Sequence, residues 1–237
     1  VTFPFGPTGR RVLLVAPHPD DIAYSCGGLV ERHLRDCGAT LVTVFGRSTW
    51  ALPRELRAQG PDAVSSARAE EDRRYGSDRG IRTLSWDLRD ASLRGYDDDT
   101  ELDADAAADP VADEVADRIR TLVRRLRPEV VVAPGAVGNH VDHRIVHDAV
   151  REIAPDAVFY EDIPYAAHHP LSTVEDSMRT RGLRPVCTVE FGELATAKIA
   201  GMCCYGSQTD QENIDEMLAH AGRISPTGLG ERYWSAS

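Results

Sequence analysis

The chain reads as an α/β protein: a Rossmann-like, mainly parallel sheet with helices on both faces. Three observations lead there. Short apolar, β-branched runs at residues 12–16, 40–45 and 130–133 alternate with longer helical stretches, the pattern of strands covered by helices on both sides. The segment 111–126 places its apolar residues at helical spacing along one face. Histidines and aspartates gather directly after two of the apolar runs, where open α/β sheets place their sites.

The first strand is expected at residues 11–16, a helix at 25–36 ended by Gly38, and a second strand at 40–45. A polar stretch containing Pro53, Gly60 and Pro61 then precedes a charged helix at 65–75 and a third strand at 81–86. The clearest helix follows, with Asp109 as N-cap and Pro110 at its first position. Val111, Val115, Ile119, Leu122, Val123 and Leu126 form its buried stripe, and Pro128 stops it. A fourth strand at 130–133 leads through Gly135 and Gly138, which allow a sharp turn, to a helix at 143–153. Strands at 157–160 and 186–191 and helices at 193–203 and 211–221 complete the pattern. No repeat, low-complexity tract or linker interrupts it, so residues 1–237 are expected to form one domain.

At 237 residues with 42% apolar content, the chain can bury a sizeable core. No segment approaches the roughly 20 uninterrupted apolar residues of a membrane span, and Val1-Thr2-Phe3-Pro4 lacks the charge and long apolar stretch of a signal peptide. Five dispersed cysteines without a C-x-x-C pattern argue against a disulfide framework or a cysteine zinc site, and a cytoplasmic location is expected. Seven acids (Asp97, Asp98, Asp99, Glu101, Asp103, Asp105 and Asp109) account for most of the net charge of −11, leaving −4 for the rest. That balance gives no nucleic-acid footprint. The stretch lacks the glycine of an EF-hand loop and is expected to be a solvated loop. A homo-oligomer is compatible with the chain but not indicated.

His18-Pro19-Asp20-Asp21 follows the first strand, and His140-Val141-Asp142-His143 follows the fourth. His18 and Asp21, three residues apart on a turn, can aim a nitrogen and an oxygen at one ion, and His143 would complete a set of two histidines and one carboxylate. Such a set leaves a position open for water, whose pKa a catalytic zinc lowers toward ~7. Zn²⁺ is the expected metal, with Fe²⁺ the other ion this donor set suits. Asp20 is then a spare carboxylate able to take a proton from the water. His140, protonated and oriented by Asp142, could stabilise an oxyanion. His147, one turn beyond His143, lacks the adjacent Glu of a zincin motif and is expected to be a flank residue. His168 and His169 are expected in an exposed turn. The glycines of Cys26-Gly27-Gly28, too short a pattern for a P-loop, are explained by close packing of the helix start.

These residues resemble the LmbE-like (PIG-L) zinc-dependent N-deacetylases, with their A-H-P-D-D and H-P-D-H motifs. The resemblance implies His18, Asp21 and His143 as metal ligands, Asp20 as general base, and His140 with Asp142 as the acid and its orienting partner. More weakly, Arg68-Ala69-Glu70-Glu71 is similar to the family's R-x-x-E helix, Asp90 matches an acidic position that can hold sugar hydroxyls, and Lys198, Tyr205, Ser207 and Gln208 match a late K-x-x-A…Y-x-S-Q segment. Arg68 and Asp90 are thus the expected substrate-binding residues. Pro17, Ile22 and Val141 depart from the family pattern, and none removes an expected ligand.

The activity so implied is removal of an acyl group, in the first place acetyl, from an amide nitrogen of an N-acetylated amino sugar or sugar-containing metabolite. The small-molecule substrate leaves a second enzymatic reading, an amidase acting on a non-sugar natural-product intermediate. A binding module using the same sheet without catalysis has no motif behind it, since no G-x-G-x-x-G follows the first strand.

Overall fold

A computed structural model describes residues 11–97 and 100–236, without the side chain of Asp103; Val1-Thr2-Phe3-Pro4, Asp98 and Asp99 lie outside the described residues. The strands are β1 (Val12–Ala16), β2 (Thr40–Thr43), β3 (Arg82–Ser85), β4 (Val130–Pro134), β5 (Val158–Tyr160), β6 (Arg184–Glu190) and β7 (Gly230–Ser235). They form one seven-stranded sheet in the order β3-β2-β1-β4-β5-β7-β6. The first five pair in parallel, and β7 runs antiparallel between β5 and β6. The expected mainly parallel α/β sheet is therefore present.

The helices are α1 (Asp21–Leu29), α2 (Arg54–Arg57), α3 (Pro61–Arg79), α4 (Thr100–Asp103), α5 (Ala112–Leu126), α6 (Val141–Ile153), α7 (Leu171–Thr180), α8 (Ala195–Met202) and α9 (Gln211–Ile224). Every residue of β1 and β4 is buried, as their unbroken apolar runs require. The chain visits β1, β2 and β3 on one side and β4 and β5 on the other, so the strand order reverses between β1 and β4. That reversal opens a crevice at the carboxyl ends of these two strands, each followed by one of the His/Asp clusters.

Four local readings change. The first helix starts at Asp21 rather than Ser25, because Asp20 turns at φ 101° and its carbonyl already accepts the Tyr24 amide at 3.1 Å. The same helix gives way to a wide turn over Val30–Leu34. Just before that turn the Glu231 carboxylate takes the Gly28 and Leu29 amides (2.6 and 2.8 Å), while Lys198 Nζ donates to the Tyr24 carbonyl (2.7 Å). Asp109 is not the N-cap of α5: its Oδ1 accepts the Val111 amide at 2.9 Å, so it caps the turn before the helix. Finally, β7 and α7 have no counterpart in the expected pattern. Glu231 and Arg232 interrupt the apolar run of β7, and the sheet tolerates Glu231 there because Lys198 Nζ meets it at 2.6 Å.

Close packing accounts for the glycines of α1: a Cβ on Gly28 would lie 2.7 Å from the Phe191 ring, and one on Gly27 2.8 Å from Lys198. All five cysteines are free. No described helix is long and apolar enough to cross a membrane.

Candidate active site

The two clusters meet at the crevice. One atom each of His18, Asp21 and His143 lies within 4.8 Å of the other two. His18 Nδ1 is 3.8 Å from Asp21 Oδ2, and His143 Nε2 is 3.6 Å from Asp21 Oδ1. Ligands around one tetrahedral zinc sit about 3.4 Å apart, so small shifts would close this set on an ion. His143 Nε2 is buried with no hydrogen-bond partner, and a buried acceptor of that kind is expensive unless something binds it. Burial lowers the His143 pKa to about 4, so its ring is neutral and its lone pair free. These observations fit a metal site.

The remaining ring nitrogens are held from behind. His143 Nδ1 meets Asp162 Oδ1 at 2.7 Å, and His18 Nε2 meets Asp142 Oδ2 at 2.8 Å. Each carboxylate orients its imidazole so that the other nitrogen faces the cluster. Asp142 also accepts the Ala91 amide (3.0 Å) and the Arg94 guanidinium (2.7 Å). Burial alone would raise its pKa, but His18, His140 and Arg94 hold it below the usual carboxylate range. A second group of possible donors, His18, His140 and Asp142, fits an ion less well, because the bond between His18 and Asp142 would have to break first.

Here one sequence-based expectation is corrected. Asp142 was expected to orient His140 through its carboxylate, yet that carboxylate lies on His18 and Arg94. It is the Asp142 backbone amide that donates to His140 Nδ1, at 3.1 Å, because His140 is the N-cap of α6. The ring therefore carries its proton on Nε2, which faces Glu101 Oε2 at 3.3 Å. Burial lowers the His140 pKa, and the Glu101 and Asp142 carboxylates outweigh that to raise it overall.

Asp20 sits beside the cluster in a positive-φ conformation that only a tightly fixed non-glycine residue holds. Burial pushes its pKa up to about 7 against the pull of Arg68, which lies 3.7 Å away. Arg68 itself is buried behind Asp20, donating to the Pro19 carbonyl (3.0 Å) and Ser48 Oγ (3.1 Å). It holds the His18–Asp21 turn from inside. Asp90 follows β3 on the same side of the sheet, and its Oδ1 takes Ser92 Oγ (2.6 Å) and the Leu93 amide (3.3 Å), capping a short turn.

The late segment joins the helix bearing Arg68. Tyr205 Oη donates to Asp72 Oδ1 at 2.8 Å, and Glu71 takes the amide and hydroxyl of Ser207 at 2.8 and 2.6 Å. His147 stays outside the cluster, with Nδ1 on the Pro134 carbonyl (2.8 Å) and its ring on Phe159. His168 is exposed beside Glu216. Tyr165 walls the crevice, its ring centroid 5.4 Å from His143 and 5.9 Å from His140, and a Cβ on Gly138 would lie 2.5 Å from it.

Reading the sequence missed Asp162, Arg94 and the placement of Glu101. Asp162 carried a usable signal: Glu161-Asp162 directly follows the apolar run of β5, just as His18 and His140 follow β1 and β4. Arg94 carried none, since its partners Asp109 and Asp142 are distant in sequence.

Comparison with known proteins gives four matches. The family model described as GlcNAc-PI de-N-acetylase (PIG-L) matches residues 13–154, a span holding both clusters. A 2'-N-acetylparomamine deacetylase of Streptomyces fradiae is 48% identical over 224 residues, covering 91% of this chain and 80% of that protein. Among solved structures, the zinc-inhibited form of teicoplanin deacetylase superposes with a TM-score of 0.71 at 24% identity, over 94% of this chain and 97% of that one. A 4-carboxy-2-hydroxymuconate hydratase from Pseudomonas putida superposes at 0.66 with 17% identity, over 94% and 95%. The same fold thus carries both a deacetylase and a hydratase, and the reaction has to be argued from the site.

Proposed function

Since this chain belongs to the PIG-L family of GlcNAc-PI de-N-acetylases, we propose that it is a metal-dependent deacetylase that removes the acetyl group from an N-acetylated amino sugar. The observation that carries the reading is 48% identity, over nearly the whole chain, to a deacetylase of such a substrate. The buried cluster of His18, Asp21 and His143 supports it with suitable chemistry.

Two neutral imidazoles and one carboxylate favour zinc as the resident ion, and when bound it would polarise the acetyl carbonyl and acidify water. The chain's own groups do the rest. Asp20, neither tied up as a ligand nor far from the cluster, takes the proton of the attacking water and returns it to the leaving amine. His140 offers its Nε2 proton to the acyl oxygen as charge builds there, its ring fixed by the Asp142 amide. Asp142 and Asp162 keep His18 and His143 oriented, and Arg68 fixes the turn that places Asp20. Asp90 accepts hydroxyls of the sugar.

The test is to load the purified protein with zinc and offer it a panel of N-acetylated amino sugars and simple acyl amides, scoring free amine and acetate. Amine released from the sugars, and lost on metal removal, is the expected result. Turnover confined to non-sugar amides would overturn the substrate assignment.

A further inference from the structure

Glu101 lies on α4, inside the acidic stretch read from the sequence as a solvated loop, yet its Oε2 is 3.3 Å from His140 Nε2. That nitrogen is the one assigned above to the acyl oxygen. The frame around the active site holds the segment in place. Arg144, on α6 next to His143, donates to the Ala104 carbonyl. Asp109, buried at the far end, takes Arg94 at 3.1 and 3.0 Å and Tyr96 Oη at 2.9 Å, and Arg94 continues to Asp142. Glu101 therefore faces the crevice by construction. Its neighbour Leu102 is one of the two large apolar side chains exposed among the described residues.

We propose that Glu101 determines substrate specificity by binding a free, protonated amine of the substrate. The inference rests on the deacetylase reading given above. When the acyl oxygen takes over His140 Nε2, the Glu101 carboxylate loses its described partner while still held beside the bound molecule. A carboxylate in a partly enclosed crevice needs a cation or several donors, and an ammonium supplies both. The substrate class is accordingly an amino sugar that carries, near the acetylated nitrogen, at least one further amine. A neutral analogue with a hydroxyl at that position leaves the charge unmatched and binds less well.

The experiment compares wild type and Glu101→Gln on two N-acetylated amino sugars, one with a second free amine and one with a hydroxyl in its place. Metal content is measured in parallel. The isosteric amide keeps the size of the side chain and removes only its charge. In Glu101→Gln the preference for the charged substrate in kcat/KM should fall at least about 10-fold, carried mainly by KM, with zinc retained. Equal losses on both substrates, residing in kcat, would overturn the proposal and make Glu101 a positioning residue for His140. An unchanged preference would overturn it as well. Should wild type release amine from neither sugar, it is the deacetylase reading that fails, a result separate from either of these.

Discussion

Asp162 Oδ1 stands 2.7 Å from His143 Nδ1, on the side of the ring opposite the nitrogen that faces Asp21, while its Oδ2 accepts the Val137 amide at 2.9 Å. The loop after β5 thereby fixes both the His143 ring on α6 and the turn that leads into that helix. Removing a carboxylate of this kind typically weakens metal binding by about 10- to 100-fold. Asp162→Asn should show a loss of that size in a zinc competition titration, with the fold intact by circular dichroism. Wild-type affinity would mean that the packing around His143 orients its ring without the carboxylate.

The ligand assignment separates His143 from His147, one helical turn away. His143 Nε2 is unpartnered and faces Asp21, whereas His147 Nδ1 is bonded to the Pro134 carbonyl and its ring is packed on Phe159. His143→Ala is expected to lose bound metal and activity together. His147→Ala should keep its metal and be less stable, and elemental analysis of the two purified variants distinguishes them.

Asp20 and Asp21 are adjacent in sequence yet differently placed. Asp21 lies between the two histidines, while Asp20, beside them, has Arg68 at 3.7 Å. Asp20→Asn should therefore retain zinc and lose kcat by roughly 100-fold or more, if proton transfer limits the rate. Asp21→Asn should instead lose the metal. Near-normal turnover of zinc-loaded Asp20→Asn would remove Asp20 from the role of base.

The sheet and the cluster were legible in the sequence for one reason: unbroken apolar runs such as 12–16 and 130–133 mark buried parallel strands, and chemistry follows at their ends. Pairings across the chain were not. Nothing in the spacing of His140-Val141-Asp142-His143 says that the Asp142 carboxylate passes over its neighbour His140 to reach His18, 124 residues away. The N-cap geometry of α6 decides it, giving His140 the backbone amide and leaving the carboxylate free. Nor could composition place Glu101 at His140, since one residue of an acidic run reads like the others until the bond from Arg144 to Ala104 positions the segment.

Asp90 tests how the sugar is read. Its Oδ1 is spent on Ser92 and Leu93 in capping a turn, and it follows β3 at the same end of the sheet as the His/Asp clusters. If the carboxylate also accepts sugar hydroxyls, Asp90→Ala should reduce kcat/KM on an N-acetylated sugar much more than on a simple acyl amide, because a site built for hydroxyls discriminates strongly. Equal losses on the two would leave Asp90 with the turn alone.

Stability should depend unequally on the buried Lys198–Glu231 pair. Among the described residues Lys198 Nζ donates to the Tyr24 carbonyl and to Glu231 and lies 4.7 Å from the centre of the Phe191 ring. Glu231 has four donors: Lys198, the Gly28 and Leu29 amides, and Tyr233 Oη at 2.8 Å. With Lys198→Met the carboxylate keeps three donors, whereas Glu231→Leu leaves a buried ammonium with the Tyr24 carbonyl alone and takes an acceptor from two helix amides at once. Breaking a buried pair from one side costs about 3–5 kcal/mol, and each orphaned amide adds roughly 1–3 kcal/mol. Urea denaturation should therefore place Lys198→Met near the low end of that range and Glu231→Leu well beyond it. The reverse order would show that the ammonium, and not the carboxylate inserted into the backbone ladder of α1, holds this part of the fold together.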